Sequence, residues 1–265
     1  MQSQTVEIIH NDRVSAKYFR LGLAWKTPTI VPGHFVMLRV SDGLDPLLRR
    51  PFGIYNVIGA KGKDSLRGEG IELIYQVVGK GTNILSMKRP GEKLSILGPL
   101  GNGFPYPEDH KNVIMIAGGM GIVPLYLFAK RINRGKLLFG ARGRAEAGVA
   151  KDFKALDCKV KIATEDGSIG RKGYVTELLE EDLTPGMIVY ACGPVAMLKR
   201  VAEISLKEGA KCYVSLERAM ACGIGVCLGC AVKSKAHNEK ENKNYMMVCS
   251  EGPVFDSSLI DWDVL

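Results

Sequence analysis

The sequence predicts a multi-domain protein: an antiparallel β-barrel, then an α/β domain on a parallel sheet, then a small cysteine-bearing C-terminal domain. Three observations lead there. Short β-branched and aromatic runs, punctuated by Gly, Pro and Asp, recur up to about residue 105, the pattern of a small antiparallel barrel or sandwich. Beyond Pro105-Tyr-Pro107, continuous apolar runs alternate with helical stretches, as parallel strands covered on both faces require. From Tyr213 the segments shorten, and four of the seven cysteines fall there. The expected domains are 1–104, 108–212 and 213–265.

Taken in order, barrel strands are expected at 35–40, 52–57, 71–77 and 94–97, with turns at Pro32-Gly33, Ser41-Asp-Gly43, Lys61-Gly-Lys-Asp64 and Pro90-Gly91. The α/β part opens with a strand at 113–116, a glycine cluster and a helix over 124–132. Strands follow at 136–139, 159–163 and 187–190, with helices at 175–179 and 196–208. Residues 233–244 read as a polar loop.

Composition narrows the class. With 265 residues and 46% hydrophobic content the chain can bury sizeable cores, which excludes a disordered or fibrous protein. Lys and Arg exceed Asp and Glu by 36 − 28 = 8, but these charges are scattered and form no basic arm. Residues 1–12 are polar and lack the apolar stretch of a secretory signal, and residues 112–128 are too short and glycine-rich to span a bilayer. A cytoplasmic protein is therefore expected, and the clustering of four of its seven cysteines near the C-terminus points to metal or catalysis rather than a disulfide framework.

The most specific signal is Cys222-x4-Cys227-x2-Cys230 followed by Cys249, the plant-type ferredoxin spacing for a [2Fe-2S] cluster. Zinc is the alternative, but zinc sites usually pair two short hooks, whereas three ligands here share one glycine-rich loop. Next is the turn Gly118-Gly119-Met-Gly121-Ile-Val-Pro124, between an expected strand and helix. Such a turn lets a pyrophosphate approach the backbone at a helix N-terminus. A tight turn without ligand would look the same; Cys192-Gly193-Pro194, at the end of a later strand, supports the nucleotide reading. In the barrel, Arg49-Arg50-Pro51-Phe52-Gly53 and Gly79-Lys-Gly81-Thr82 offer phosphate contacts, each unspecific alone. The four histidines are too far apart to form a ligand pair.

Together, Arg-Arg-Pro-x-x-Ile (49–54), Gly-Lys-Gly-Thr (79–82), Gly-Pro-Leu-Gly-Asn-Gly-Phe (98–104), Thr-Glu-Asp-Gly-Ser-x-Gly (164–170), Tyr-Ala-Cys-Gly-Pro (190–194), Ser-Leu-Glu-Arg-x-Met-Ala-Cys-Gly-Ile-Gly (215–225) and Cys-x-x-Gly-Pro-Val-Phe (249–255) resemble one family of the ferredoxin-reductase superfamily. It is that of the electron-transfer subunits of B-type dihydroorotate dehydrogenase. The resemblance implies FAD on the barrel, held by Arg50, Pro51, Phe52, Gly53, Ile74, Tyr75, Gln76, Gly81 and Thr82. It implies NAD on the sheet domain, with Cys192 near the nicotinamide, and a cluster on Cys222, Cys227, Cys230 and Cys249. The implied partner is an FMN-containing catalytic subunit in a heterotetramer, with electrons running from dihydroorotate through FMN, the cluster and FAD to NAD.

Two departures stand out. Gly53 replaces the serine usual in that family, and Arg142 and Arg144 follow a strand end where NAD sites often carry a carboxylate, which leaves NADP open. The rival readings are a flavin diaphorase subunit of a hydrogenase, sulfite reductase or ferredoxin:NADP oxidoreductase, and a cluster-bearing nucleic-acid sensor. Cys222 argues against relatives with Asp there, and no DNA-binding motif is visible.

Overall fold

Six strands form in the first hundred residues: β1 (Gln2–Arg13), β2 (Tyr18–Ala24), β3 (Phe35–Arg39), β4 (Arg50–Ile58), β5 (Gly70–Gln76) and β6 (Lys93–Leu100). In this computed structural model, which describes residues 2–15, 18–26, 29–59, 68–238 and 243–265, they close in the order β1-β2-β5-β4-β3-β6. Closure removes the exposed edges that an open antiparallel sheet would present. Leu21, Leu23, Val36, Leu38, Ile54, Leu73 and Ile96 fill the interior. β1 and β2 precede the first expected strand. In β1, only Val6 and Ile8 join the barrel core, so the strand is specified by its pairing with β2 and β6 rather than by a strong apolar pattern. The expected turn at Lys61–Asp64 lies outside the described residues.

A short helix, α1 (Lys80–Ser86), stands where local pattern gives only a phosphate loop. Thr82 Oγ1 accepts from the Val78 and Gly79 N–H groups at 2.9 and 3.1 Å, turning the expected loop into a helix start.

The second part is one sheet of seven strands: β7 (Val113–Gly118), β8 (Lys136–Ala141), β9 (Lys159–Thr164), β10 (Arg171–Lys172), β11 (Ile188–Cys192), β12 (Lys211–Ser215) and β15 (Val254–Asp256). Their order is β10-β9-β8-β7-β11-β12-β15. All pairings are parallel except β12 with β15, so the C-terminal segment supplies an antiparallel edge strand. Helices α2 (Ile122–Ile132), α3 (Arg144–Ala147), α4 (Val175–Asp182) and α5 (Val195–Lys207) connect the strands. Chain order reverses at β7, flanked by β8 on one side and β11 on the other, and ligand clefts form beyond the carboxyl ends of strands at such a point.

The region expected as a polar loop forms a hairpin of β13 (Ala231–Asn238) and β14 (Lys243–Met247), although residues 239–242 lie outside the described residues. Val232 is buried and pairs with half-buried Met246, while Lys233 opposite Tyr245 is exposed. The lysine-rich outer face masks this alternation in the sequence. Among the described residues the hairpin has no separate core. Cys230, Val232, Val248, Cys249, Phe255 and Ile260 join the cluster that contains α4, α5 and Phe35 and Met37 of β3.

Candidate functional site

Two cavities open at the carboxyl end of the parallel sheet. The first, about 660 Å³, lies between barrel and sheet. Its barrel wall is Arg50, Pro51, Phe52 and Gly53 at the start of β4, Ile74, Tyr75 and Gln76 at the end of β5, and Thr82 of α1. These segments lie apart in the chain, and barrel closure brings them to one rim. Gly81 is buried rather than lining the cavity: a Cβ there would stand 2.7 Å from Arg50 Nε, so only glycine lets the guanidinium lie over the first turn of α1. Gly53 is different. A Cβ would meet only Val123, at 3.9 Å, so packing does not forbid a serine.

Pro124 and Cys192 also line this first cavity, not the second. Cys192 is 1% exposed, and burial pushes its thiol well above the usual range, with the Glu217 carboxylate adding to the shift. It is a neutral, shape-defining group.

The second cavity, about 650 Å³, holds the glycine turn: Gly118, Gly119 and Gly121, with Gly193 and Pro194 from the adjacent strand end. Two glycines are required for distinct reasons. Gly119 has φ +54° with nothing within 4 Å of a would-be Cβ, so its backbone faces open space. At Gly121 a Cβ would collide with the Cys192 carbonyl, so the turn can nest against β11 only without a side chain. A turn of this kind at the start of a helix presents N–H donors suited to an anion.

Arg142 faces this cavity, but so do Glu146 and Glu165. The Arg142 N–H donates to Glu146 Oε2 at 3.1 Å, while the Arg144 guanidinium is turned away onto the Ser168 carbonyl at 2.6 Å. Sequence reasoning missed Glu165. Its signal was available: a carboxylate directly after the strand ending at Thr164. Tyr18 of β2 also lines this wall, a barrel contribution that sequence order hides.

The two cavities meet. Gln76, Met120 and Glu217 line both. Protein surrounds the Glu217 side chain except where it opens to the cleft, and this desolvation raises its pKa. The chain then continues along the first cavity through Arg218, Ala219 and Met220. Two residues later comes Cys222.

The cysteine loop is shaped by its backbone. Gly223 and Gly225 have φ +74° and +84°, and Leu228 at φ +58° accepts a left-handed conformation that costs a non-glycine residue about 1 kcal/mol. As a result N–H groups turn inward to sulfur: Ile224 and Cys227 donate to Cys222 Sγ at 3.4 Å, Gly225 to Cys249 Sγ at 3.0 Å, and Cys249 to Cys230 Sγ at 3.4 Å. The Ile224 N–H and its neighbours pull the Cys222 thiol down to about 6, whereas burial and Cys230 push Cys249 up to about 12. Among the described residues no three donor side chains converge on a single ion position. Cys222 lies beside Cys227 and Cys249 beside Cys230, with Cys222 also within electrostatic reach of Cys249. That arrangement, with N–H donors around sulfur, fits a two-iron cluster with two thiolates per metal better than one tetrahedral zinc. A Cβ at Gly223 would stand 2.7 Å from Met37 Cγ, so the loop is seated on the barrel.

A closed barrel, a parallel sheet with a glycine turn at its switch point and a four-cysteine loop define an oxidoreductase of the ferredoxin-reductase type. The oxidoreductase NAD-binding domain matches residues 115–203, and the iron–sulfur cluster binding domain of dihydroorotate dehydrogenase B matches residues 217–261. The dihydroorotate dehydrogenase B (NAD(+)) electron transfer subunit of Caldanaerobacter subterraneus subsp. tengcongensis is 39% identical over 94% of each chain. That of Lysinibacillus sphaericus is 34% identical over 98% of this chain and 99% of its own. The chain belongs to this family of electron transfer subunits. Among solved structures, an NADH-dependent reduced ferredoxin-NADP oxidoreductase superposes with TM-score 0.82 at 26% identity, covering 98% of this chain and 91% of that one. Phthalate dioxygenase reductase shares the fold at TM-score 0.65 and 15% identity, covering 97% and 96% of the two chains.

Proposed function

We propose that this chain is the electron-transfer subunit of a dihydroorotate dehydrogenase, linking an FMN-containing catalytic subunit to NAD in pyrimidine synthesis. The observation that carries this reading is continuity. One cleft runs from the glycine turn, past Gln76, Met120 and Glu217, into the barrel-side cavity, whose wall leads to Cys222 within two residues. When bound there, FAD exchanges electron pairs with a nicotinamide and single electrons with a [2Fe-2S] cluster.

The residues have separable tasks. Arg50 and the first turn of α1 hold the FAD pyrophosphate, while Pro51, Phe52, Gly53, Ile74, Tyr75 and Gln76 shape a dry site for its ring. Gly118, Gly119, Gly121, Gly193 and Pro194 bind the nucleotide phosphates, and Pro124 and Cys192 pack where the nicotinamide enters. Cys222, Cys227, Cys230 and Cys249 ligate the cluster. The segments 1–104, 108–212 and 213–265 act as the FAD, NAD and cluster modules, the last also lending a strand to the sheet. Glu146 and Glu165 beside Arg142 favour a ribose 2′-hydroxyl over a 2′-phosphate, so NAD is the preferred nucleotide.

Exposed Ile224, Val226 and Leu228 surround the cysteine loop and suit the catalytic partner, in a complex of two copies of each chain. No helix among the described residues is long and apolar enough to cross a membrane, and we place the complex in the cytoplasm. The test is anaerobic flavin reduction by NADH and by NADPH, followed by reconstitution with the catalytic subunit. The expected result is a faster reaction with NADH and dihydroorotate-dependent NAD reduction by the complex. A preference for NADPH, or co-purification with a hydrogenase or sulfite reductase, overturns the assignment.

A further inference from the structure

The same two elements that carry the nucleotide subsites also carry, one turn or a few residues further on, a dense seam joining barrel to sheet. In β4, residues 50–53 line the first cavity, and Tyr55 and Asn56 follow. In α2, the glycine turn opens the second cavity, and Tyr126, Leu127 and Lys130 follow. Tyr126 stacks on Tyr55 with ring centroids 4.3 Å apart, Leu127 enters the barrel core, and Lys130 Nζ donates to Asn56 Oδ1 at 3.0 Å.

Asp152, from the turn after α3, completes the seam. Its carboxylate accepts from Tyr55 Oη at 2.6 Å and from Arg20 of β2, whose guanidinium also lies 5.4 Å from the Tyr55 ring centre. One nucleotide-domain carboxylate thus ties two barrel strands, and the half-buried pair with Arg20 is less screened by solvent than an exposed ion pair. Phe153 meets Tyr126 edge-on at 5.2 Å, so the seam is packed from behind.

We infer that Asp152, Tyr55 and Tyr126 form a positioning clamp that sets the distance between the flavin and nicotinamide subsites. The clamp touches neither cavity. It grips the middle of β4 and α2, and any slip in it is transmitted along these two rigid elements to Gly53 in the one and to Gly121 at the start of the other. Hydride transfer is steeply sensitive to such slips, a 1 Å misplacement being enough to cost about a hundredfold. The inference rests on the assignment of the two cavities to FAD and NAD.

The test uses the flavin-loaded protein with Asp152→Ala, Asp152→Asn and Tyr126→Leu. Flavin reduction at saturating NADH is followed by stopped flow, ADP-ribose affinity by calorimetry, and hydrogen exchange of residues 54–58 and 126–130 by mass spectrometry. Reduction is expected to fall about tenfold in Asp152→Ala and Tyr126→Leu, with ADP-ribose affinity and flavin content unchanged and exchange along the seam accelerated. Asp152→Asn, which keeps an acceptor for Tyr55 but loses the charge, falls between. Wild-type rates in both seam variants, whatever their melting temperature, overturn the clamp. Failure of the wild-type flavin to be reduced by NADH at all overturns the cavity assignment instead.

Discussion

The barrel and the C-terminal segment solve the problem of stability in opposite ways. The barrel closes on itself and encloses a core of its own, with Leu21, Leu23, Leu38, Leu73 and Ile96 fully buried. The segment after Ser215 closes on nothing. Its few buried residues are borrowed into the core beneath α4 and α5, its strand β15 completes another domain's sheet, and its central loop turns N–H groups toward four sulfurs. The barrel is held by apolar area, so its fold does not depend on what it binds. The cysteine loop has no such core, and small metal-binding units of that kind draw their stability from the metal.

The largest expected effect exploits that difference. Removing iron by oxidation and chelation should expose the loop and hairpin, residues 222–247, to rapid hydrogen exchange. β15 should stay protected by β12, and the barrel strands should not change. Equal loss of protection in β1–β6 would break the contrast. Next in size, Leu73→Ala leaves a cavity in the barrel and should cost about 2–5 kcal/mol. Its unfolding, followed by denaturant titration, should release flavin. A loss below about 1 kcal/mol would mean the barrel borrows stability as the C-terminal segment does.

A smaller effect sharpens the same point through pH. Burial pushes the Tyr75 phenol up to about 12. The folded state therefore holds this proton above pH 10, where the unfolded chain releases it. The stabilisation from keeping the phenol neutral is complete below pH 10 and is lost as pH rises towards 12. Over that window the barrel should lose about 2–3 kcal/mol, because each tenfold difference in proton affinity between folded and unfolded chains is worth about 1.4 kcal/mol. Tyr75→Phe should flatten the alkaline limb of a stability–pH curve by that amount; an unchanged limb would place the ionisation elsewhere.

Much of the architecture was legible because it is written in local spacing. Cys222-x4-Cys227-x2-Cys230, the apolar runs of β7, β8 and β11 and the glycine turn before α2 each carry their signal within about ten residues. Other elements were obscured for physical reasons. β1 is held by its neighbours rather than its composition, and the β13–β14 hairpin turns lysines outward over a single buried valine. Arg142 read in isolation suggested a 2′-phosphate; Glu146 and Glu165 share its cavity only after α3 and β9 fold beside it.

By itself the sequence determined the kinds of chemistry present: four thiolates in ferredoxin order, a phosphate-binding turn and a barrel able to hold a flavin. Those depend on side-chain identity and short-range chain stiffness, both of which are set by neighbours in the chain. Only the tertiary structure decided that the two clefts share a wall at Gln76, Met120 and Glu217, that Pro124 and Cys192 line the barrel-side cleft, and that Asp152 binds one domain to the other. Contacts of that kind join residues far apart in the chain, as Gln76 and Glu217 are, and are selected by the packing of whole elements, to which local pattern is blind.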